Sequence, residues 1–238
     1  MIMSGTYRRF AYDGTYEGLL CVAVKCINLR VVPELIMVAG GTAYSHDVCY
    51  VRTDLDIAGK MHRFIGERAC ARTQQMVMDC FLTAMPDKEK MIVSLIAKAV
   101  KFGACVADDY DDQMIRRIQL AILDLYREEQ SYFMSFEPVV YNDVATSVIN
   151  PKNIILPVMK HDILRKTDYD NMLIYDTRHH MVLYRNDESN DIVDIRKLRI
   201  DPQNRIEVIC DDIWQYLLTG AHLNGRMKKA DRLWYVAG

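Results

Sequence analysis

The residue types best suited to binding lie close to the end of the chain. Cations bind phosphate groups and aromatic rings stack on bases, so a segment that alternates the two is typical of a surface that contacts single-stranded or distorted nucleic acid. The same composition also fits a segment whose rings pack on the core while its charges stay in water. Between residues 224 and 235 the candidates for nucleic-acid contact are Asn224, Arg226, Lys228, Lys229, Arg232 and Trp234.

A second candidate is Asp13, which lies with Gly14 where a short strand turns into a helix. Gly14 supplies the backbone freedom for the sharp turn, and either Asp13 or Thr15 can cap the new helix. Functional side chains are often displayed at such corners. The preference of aspartate for capping positions favours a structural role for Asp13, and an acid here opposes phosphate binding at the helix N-terminus.

No metal or cofactor site is expected. The seven cysteines are scattered without a Cys-x-x-Cys pair, and no glycine-rich phosphate loop is present. Zinc sites and iron–sulfur clusters use closely spaced ligands, so reduced thiols are predicted. The acidic run from Ala107 to Asp112 contains four aspartates. Such acids can gather magnesium, but in front of a long helix they more often complement the helix dipole.

Composition and charge limit the class of protein. The chain has 238 residues, half of them hydrophobic, so it can bury a substantial core. Its 30 basic and 32 acidic residues give a net charge of −2, and any nucleic-acid contact must therefore come from a local patch. No apolar signal region or membrane-length stretch is seen, and a cytoplasmic protein without membrane contact is expected.

The periodicity of apolar residues predicts an α+β fold in which a helical middle is flanked by short N-terminal strands and a C-terminal antiparallel hairpin. We expect one domain over residues 1–238, with a possible subdivision into 1–130, mainly helical, and 131–238, mainly strand. In the first part, strands are predicted before Asp13 and at residues 48–51, and residues 31–44 form a connection. Five helices are predicted in this part. Two begin after Thr15 and Thr73, a third begins at a capping box over residues 53–56, a fourth ends at Gly103, and a fifth covers residues 111–130.

The second part alternates strands and turns. Strands are predicted at residues 133–137 and 139–141, and an extended segment bounded by Pro151 and Pro157 leads into a short helix near His161. Residues 171–175 and 181–184 form the hairpin. A polar stretch from 187 to 205 then precedes a capped helix over residues 211–220.

Five short motifs are spread over nearly the whole chain. They are Tyr12-Asp-Gly-Thr-Tyr-Glu-Gly-Leu-Leu20, Val51-Arg-Thr-Asp54, Ala84-Met-Pro-Asp-Lys-Glu89, Tyr126-Arg-Glu128 and Leu173-Ile-Tyr-Asp-Thr-Arg178. In this order they resemble a family of uncharacterised bacterial proteins known as probable DNA metabolism proteins. The resemblance implies a genome-maintenance setting, because family members accompany a radical-SAM protein suspected of DNA repair or modification, and the domain also occurs fused to uracil-DNA glycosylase-like domains.

The chain also departs from the family pattern in two places. Met134 stands where the family typically has an arginine, and the prolines of the family's basic C-terminal signature are absent between residues 221 and 235. The resemblance therefore implies an altered C-terminal surface. It narrows the biological setting more than it names a mechanism.

The resemblance points to one further set of residues, His161, Arg165, Asp176 and Arg178. A histidine and a carboxylate can move a proton, while guanidinium groups hold a phosphodiester. The same residues also fit a solvated loop with surface ion pairs. His179 and His180 would point to opposite faces of an extended chain and are a poor pair of zinc ligands.

The sequence leaves three functions open. The first is a DNA-metabolism or repair accessory, a nucleic-acid-binding or adaptor module with DNA and a radical-SAM protein as its partners. The alternative is an enzyme acting on a phosphodiester or nucleobase, with His161 and Asp176 as acid and base and with Arg165 and Arg178 holding phosphate. The third is a purely structural partner of another protein.

Overall fold

The computed structural model of the chain describes residues 7–40, 47–103, 105–187, 189–201 and 203–219. The fold class is α+β, as predicted. Contacts divide the described residues into two compact units, one up to Leu123 and one from Asp124 onward. The single domain over residues 1–238 stays a prediction, and the two units are described separately below.

Seven α-helices and eight strands lie in the described ranges. The helices are α1 (Tyr16–Leu29), α2 (Leu55–Arg68), α3 (Ala71–Leu82), α4 (Lys88–Phe102), α5 (Gln113–Met134), α6 (Leu156–Lys166) and α7 (Ile206–Leu218). The strands are β1 (Arg9–Tyr12), β2 (Leu35–Val38), β3 (Val48–Tyr50), β4 (Val139–Tyr141), β5 (Val144–Ile149), β6 (Asn171–Asp176), β7 (Met181–Arg185) and β8 (Asn190–Asp194).

The first unit contains a three-stranded parallel sheet in the order β2-β1-β3. The predicted strands β1 and β3 are confirmed, but the apolar run from Leu35 to Val38 is a strand rather than part of a connection. It pairs with β1 in the register Phe10↔Ile36. The helix α1 follows β1 and packs against α2 and α4, and its side chains Leu19, Leu20 and Val22 are fully buried.

Most predicted helices of this unit are confirmed. Gly103 ends α4 in the left-handed conformation, with φ of 59°. The cap of α3 differs from the prediction, because Cys70 is the N-cap and its sulfur accepts a hydrogen bond from the Thr73 backbone N–H at 3.3 Å. The Thr73 hydroxyl instead accepts from the Ala107 N–H at 3.3 Å and so holds the segment that follows α4.

The prediction that all cysteines are reduced is wrong at two positions. Cys70 and Cys105 form a disulfide with a Cα–Cα distance of 5.3 Å across 35 residues of sequence. No spacing rule connects residues so far apart, and the fold alone brings them together. The other thiols are Cys21, Cys26, Cys49, Cys80 and Cys210, of which all but Cys49 are buried. Burial raises the pKa of Cys26 and Cys80 to about 12, so both stay protonated core residues.

The second unit contains a five-stranded sheet in the order β4-β5-β6-β7-β8. The pair β5–β6 is parallel and the other pairs are antiparallel. The hairpin β6–β7 is confirmed. The strand β8 was missed because its sequence Asn-Asp-Ile-Val-Asp is mostly polar, yet Ile192 faces Leu183 in the register with β7. The apolar residues Tyr175, Val182, Ile209 and Ile213 share one core between the sheet and α7.

Two boundaries in this unit differ from the sequence prediction. The segment from Tyr132 to Met134 continues α5 and is not strand. Tertiary contacts favour the longer helix. Lys166 Nζ donates to the Phe133 carbonyl at 2.6 Å and lies 4.5 Å from the centre of the Phe133 ring. The helix α7 begins at Ile206 rather than Asp211. The short helix near His161 is confirmed as α6, with Pro157 in its first turn, where a missing N–H costs nothing.

No helix in the described part of the chain is both long and apolar enough to cross a membrane.

Candidate nucleic-acid interface

The turn between β6 and β7 is organised by a single buried carboxylate. Asp176 is the last residue of β6, pairs with Met181 across the hairpin and is fully buried. Its Oδ1 accepts hydrogen bonds from the backbone N–H groups of Arg178 and His179, both at 3.0 Å. Aspartate commonly closes turns by binding backbone amides a few residues further on. The carboxylate thus fixes where the next side chains leave the sheet.

The same carboxylate orients His179. Its Oδ2 lies 2.7 Å from His179 Nδ1, and the His179 side chain is 19% exposed. Because an ionised carboxylate only accepts hydrogen bonds, Nδ1 carries the proton. The outer nitrogen, Nε2, is left for a ligand. In this arrangement a buried aspartate holds a histidine in one tautomer and orients its ring.

Arg178 is exposed and is anchored on the neighbouring strand. Its Nε donates to Asn150 Oδ1 at 3.3 Å, directly after β5. Thr177 adds two contacts to the end of β5, since its N–H and hydroxyl donate to the Ile149 carbonyl at 3.0 Å and 3.2 Å. The carboxyl ends of the parallel strands β5 and β6 therefore carry Arg178 and His179 side by side. Ligands of open α/β sheets often bind outside the carboxyl ends of parallel strands.

The segment after β8 returns to the same end of the sheet. Asp194 pairs with Met181, and the Ile195 N–H donates to the His180 carbonyl at 2.7 Å. A tight turn follows, with the Leu198 N–H donating to the Ile195 carbonyl at 2.8 Å. The cations that follow are Arg196, Lys197 and Arg199, and all are exposed.

The exposed cations of this segment differ in their ion pairs. Arg196 is paired with Asp194 through contacts of 2.6 Å and 2.9 Å. Within the described ranges, neither Lys197 nor Arg199 makes an ion pair. We call the group formed by Arg178, His179, His180, Lys197 and Arg199 the hairpin end. Of the two acids beside it, Asp176 is buried and bound to N–H groups, and Asp194 is paired with Arg196.

Of the four residues that the family resemblance grouped, all of them within the described ranges, only Asp176 and Arg178 are joined by a hydrogen bond. His161 and Arg165 lie on the exposed side of α6. His161 Nδ1 is 3.2 Å from Asp162 Oδ1, and its side chain is 67% exposed. No hydrogen bond or ion pair among the described residues joins His161 or Arg165 to Asp176. Asp176 and Arg178 do lie together, and their proposed roles stay predictions.

His179 is the residue that sequence reasoning missed. A pattern was available, because Asp176 and His179 are three residues apart across a four-residue hairpin connection. An aspartate at the end of a strand folds back on its own turn and meets a side chain at that spacing. His179 was considered above only together with His180, as a possible pair of zinc ligands, and its contact with Asp176 was not predicted.

The predicted C-terminal contact segment lies outside the described residues. This concerns Asn224, Arg226, Lys228, Lys229, Arg232 and Trp234, whose role in binding nucleic acid stays a prediction.

The side chain of Asp13 holds the corner between β1 and α1 together. Asp13 Oδ1 accepts from the Thr15 N–H at 3.0 Å and from the Thr15 hydroxyl at 2.6 Å, and Asp13 Oδ2 accepts from the Thr53 hydroxyl at 2.8 Å. Thr15 caps α1 by accepting from the Gly18 N–H, and Gly14 takes a φ of 82°. Both oxygens of Asp13 are thus occupied by neighbours, so its role is structural, but the residue that caps α1 is Thr15.

One predicted cap in this corner is wrong. The N-cap of α2 is Asp54, whose side chain accepts from the Ile57 N–H at 3.0 Å, rather than Thr53. The Thr53 hydroxyl donates to Asp13 instead. A contact between residues 40 positions apart has replaced the local one that the sequence indicated.

The acidic run before α5 also serves local structure. Asp112 Oδ1 accepts from the backbone N–H groups of Met114 and Ile115, at 2.7 Å and 3.3 Å, and so caps α5. Asp108 forms an ion pair with Arg72 at 2.6 Å. Within the described ranges, no three histidine, cysteine or acidic side chains are placed to hold a metal ion.

His62 gives the first unit an expected dependence on pH. Its Nδ1 lies 3.1 Å from the Tyr16 hydroxyl, and burial lowers the pKa of His62. The unfolded chain therefore takes up a proton before the folded chain, and the free energy of unfolding should decrease as the pH falls below the usual value of 6.5. We expect His62→Gln to reduce this decrease when urea unfolding is measured at about pH 7.5 and about pH 5.5. An unchanged difference between the two pH values would contradict this role of His62.

The chain matches no protein-family model and no curated protein. The family resemblance therefore depends on the motifs quoted above, and the functional argument depends on the geometry of the described residues.

Proposed function

We propose that the protein is a cytoplasmic DNA-metabolism accessory that binds nucleic acid at the hairpin end and presents it to a partner enzyme. The observation that carries this proposal is that the turn with Arg178, His179 and His180 and the segment 196–199 with its exposed cations leave the five-stranded sheet at the same end, joined by the hydrogen bond from Ile195 to His180. Because the net charge of the chain is −2, a local patch of this kind is the feature required for binding a polyanion.

The physical properties of the hairpin end suit phosphate recognition without strong sequence preference. Lysine and arginine neutralise backbone phosphates and release counterions, which favours binding independent of the base sequence. The side chains leave from a hydrogen-bonded sheet and its turns, so little order must be created on binding. A radical-SAM protein is the proposed partner. This choice of partner is supported by the family resemblance, because members of that family accompany a radical-SAM protein.

The test of this proposal compares two charge-matched double variants. Lys197→Ala/Arg199→Ala removes two cations of the hairpin end, whereas Lys25→Ala/Lys60→Ala removes two exposed lysines of the first unit. Binding of a labelled single-stranded oligonucleotide is measured by fluorescence anisotropy over a range of salt concentrations. We expect the first variant to bind roughly tenfold more weakly, with a salt slope reduced by about 1.4, because two phosphate contacts are lost. The control variant should bind like wild type.

Equal binding by the two double variants would contradict the proposal. A third variant, Arg226→Ala/Lys228→Ala/Lys229→Ala, measures the predicted contribution of the C-terminal segment. If this variant alone loses binding, the hairpin end is not the contact surface.

A second candidate function is favoured by the contact between Asp176 and His179. A histidine oriented by a buried carboxylate is suited to proton transfer, and a phosphodiester-acting or nucleobase-acting enzyme would need such a group. In this alternative His179 takes the role first expected of His161, and Arg178 holds phosphate. If the purified protein converts DNA, His179→Ala should abolish turnover, whereas His161→Ala should leave it unchanged. Loss of turnover in both variants would contradict the assignment to His179.

A further inference from the structure

We propose that the turn between β6 and β7 is a binding site for a phosphate monoester, with His179 and Arg178 as its donors. The ligand is either the terminal phosphate of a nucleic-acid strand or the phosphate of a free nucleotide. The inference deepens the proposed function, because it assigns one point of the hairpin end to a particular chemical group. It predicts that the protein distinguishes a phosphorylated strand end from an unphosphorylated one.

The first argument is that both donors are held by the ends of neighbouring strands. His179 is bound through Nδ1 to Asp176 at the end of β6, and Arg178 is bound through Nε to Asn150 just after β5. The two strands are paired in the register Ile149↔Asp176. The anchors are therefore adjacent in the sheet, so the two side chains start from one place rather than being spread along a groove.

The second argument is that each anchor leaves the ligand-binding atoms available. With Nδ1 engaged by Asp176, the Nε2 of His179 stays available for a phosphate group. With Nε of Arg178 donating to Asn150, the two terminal nitrogens of the guanidinium group remain for a forked contact, which matches the geometry of phosphate oxygens. Arg178 is exposed, and the His179 side chain is partly accessible.

The third argument concerns charge. Asp176 accepts three hydrogen bonds, from Arg178 N, His179 N and His179 Nδ1, so its negative charge is compensated inside the turn. A phosphate monoester carries a charge of about −1.5 to −2 near neutral pH and offers three terminal oxygens, whereas an internal phosphodiester carries a single charge. A guanidinium group and an imidazole ring held at one turn should therefore bind the monoester more strongly. A surface that follows the backbone would show no such preference.

The experiment compares two oligonucleotides of the same sequence and length, one with a 5′-phosphate and one with a 5′-hydroxyl, both labelled at the 3′ end. We expect wild-type protein to bind the phosphorylated strand about tenfold more tightly, which corresponds to about 1.4 kcal/mol. His179→Gln and Arg178→Gln should each bring the ratio of the two affinities close to one. His161→Gln is the matched control, because His161 also lies beside an aspartate but outside this turn, and it should keep the wild-type ratio.

The outcomes separate this inference from the proposed function. If wild-type protein binds both strands equally, the monoester site is wrong while nucleic-acid binding stands. If it binds neither strand, the proposed function fails, and titration with thymidine 5′-monophosphate then tests the site directly. Movement of the His179 ring signals in NMR spectra, absent in Arg178→Gln, would support it, and unmoved signals would overturn it. If His179→Gln does not fold, the test depends on Arg178→Gln, because the Arg178 side chain is exposed. An affinity ratio unchanged from wild type in Arg178→Gln would also overturn the inference.

Discussion

Replacing Gly18 by alanine is expected to destabilise the first unit by about 3 kcal/mol, although alanine normally stabilises a helix interior by up to about 1 kcal/mol relative to glycine. A Cβ atom at Gly18 would overlap Asp13 Oδ1 and lie 2.8 Å from Thr53 Oγ1 and 3.1 Å from Thr15 Oγ1. These are the oxygens that fasten β1 to α1 and α2. The added methyl group must therefore break the hydrogen bonds of Asp13 or displace the helix.

The measurement is urea unfolding followed by circular dichroism, with Gly59→Ala as the control. Gly59 lies inside α2, and a Cβ atom there would meet nothing within 4 Å. The control should stabilise the protein by up to about 1 kcal/mol, following helix propensity alone. If Gly18→Ala also stabilises the protein, the close packing around Asp13 is not as described.

Replacing Glu128 by alanine is expected to lower the free energy of unfolding of the second unit by about 3 to 4 kcal/mol. Glu128 Oε1 accepts from the Lys152 N–H at 2.7 Å, and Oε2 accepts from the Asn153 N–H at 2.8 Å and from Asn153 Nδ2 at 2.7 Å. Asn153 is only 2% exposed, so water cannot easily replace Glu128 as its acceptor. One carboxylate thus holds the connection between β5 and α6.

Glu128→Gln should fall between wild type and Glu128→Ala, because the amide keeps one acceptor oxygen but places an NH₂ group against a backbone donor. Glu67→Ala is the matched control, since Glu67 is an exposed helical glutamate, and its effect should stay within about 0.5 kcal/mol. Hydrogen exchange adds a local measure, and in Glu128→Ala the amides of Lys152 and Asn153 should exchange faster. Unchanged exchange at these two amides would show that Glu128 does not hold them.

Features encoded by neighbouring residues could be predicted from the sequence. The hairpin β6–β7, the left-handed cap at Gly103 and the corner at Gly14 all follow from local patterns, and the structure confirms them. The strand β8 could not be predicted in this way, because its stability comes from pairing with β7 and its own sequence is polar. Similarly, Lys166 lies 33 residues from Phe133, and no window of local sequence contains the contact that extends α5.

The candidate site was predictable only in part. The family resemblance directed attention to Asp176 and Arg178, which do lie together in the hairpin turn. The resemblance also included His161 and Arg165, but these two residues lie on the exposed face of α6. The role of His179 depends on the direction of one side chain within a tight turn, and the approach of Lys197 and Arg199 depends on the pairing of β8. Both are tertiary properties that residue types alone do not determine.

The most direct test of the nucleic-acid interface is amide hydrogen exchange of the full chain with and without a single-stranded oligonucleotide. The account predicts that binding slows exchange at residues 177–180 and 195–199, the two segments joined by the hydrogen bond from Ile195 to His180. Exchange at exposed amides of the first unit should stay unchanged. Slowed exchange confined to residues 224–235, or found only in the first unit, would contradict the assignment of the hairpin end as the contact surface.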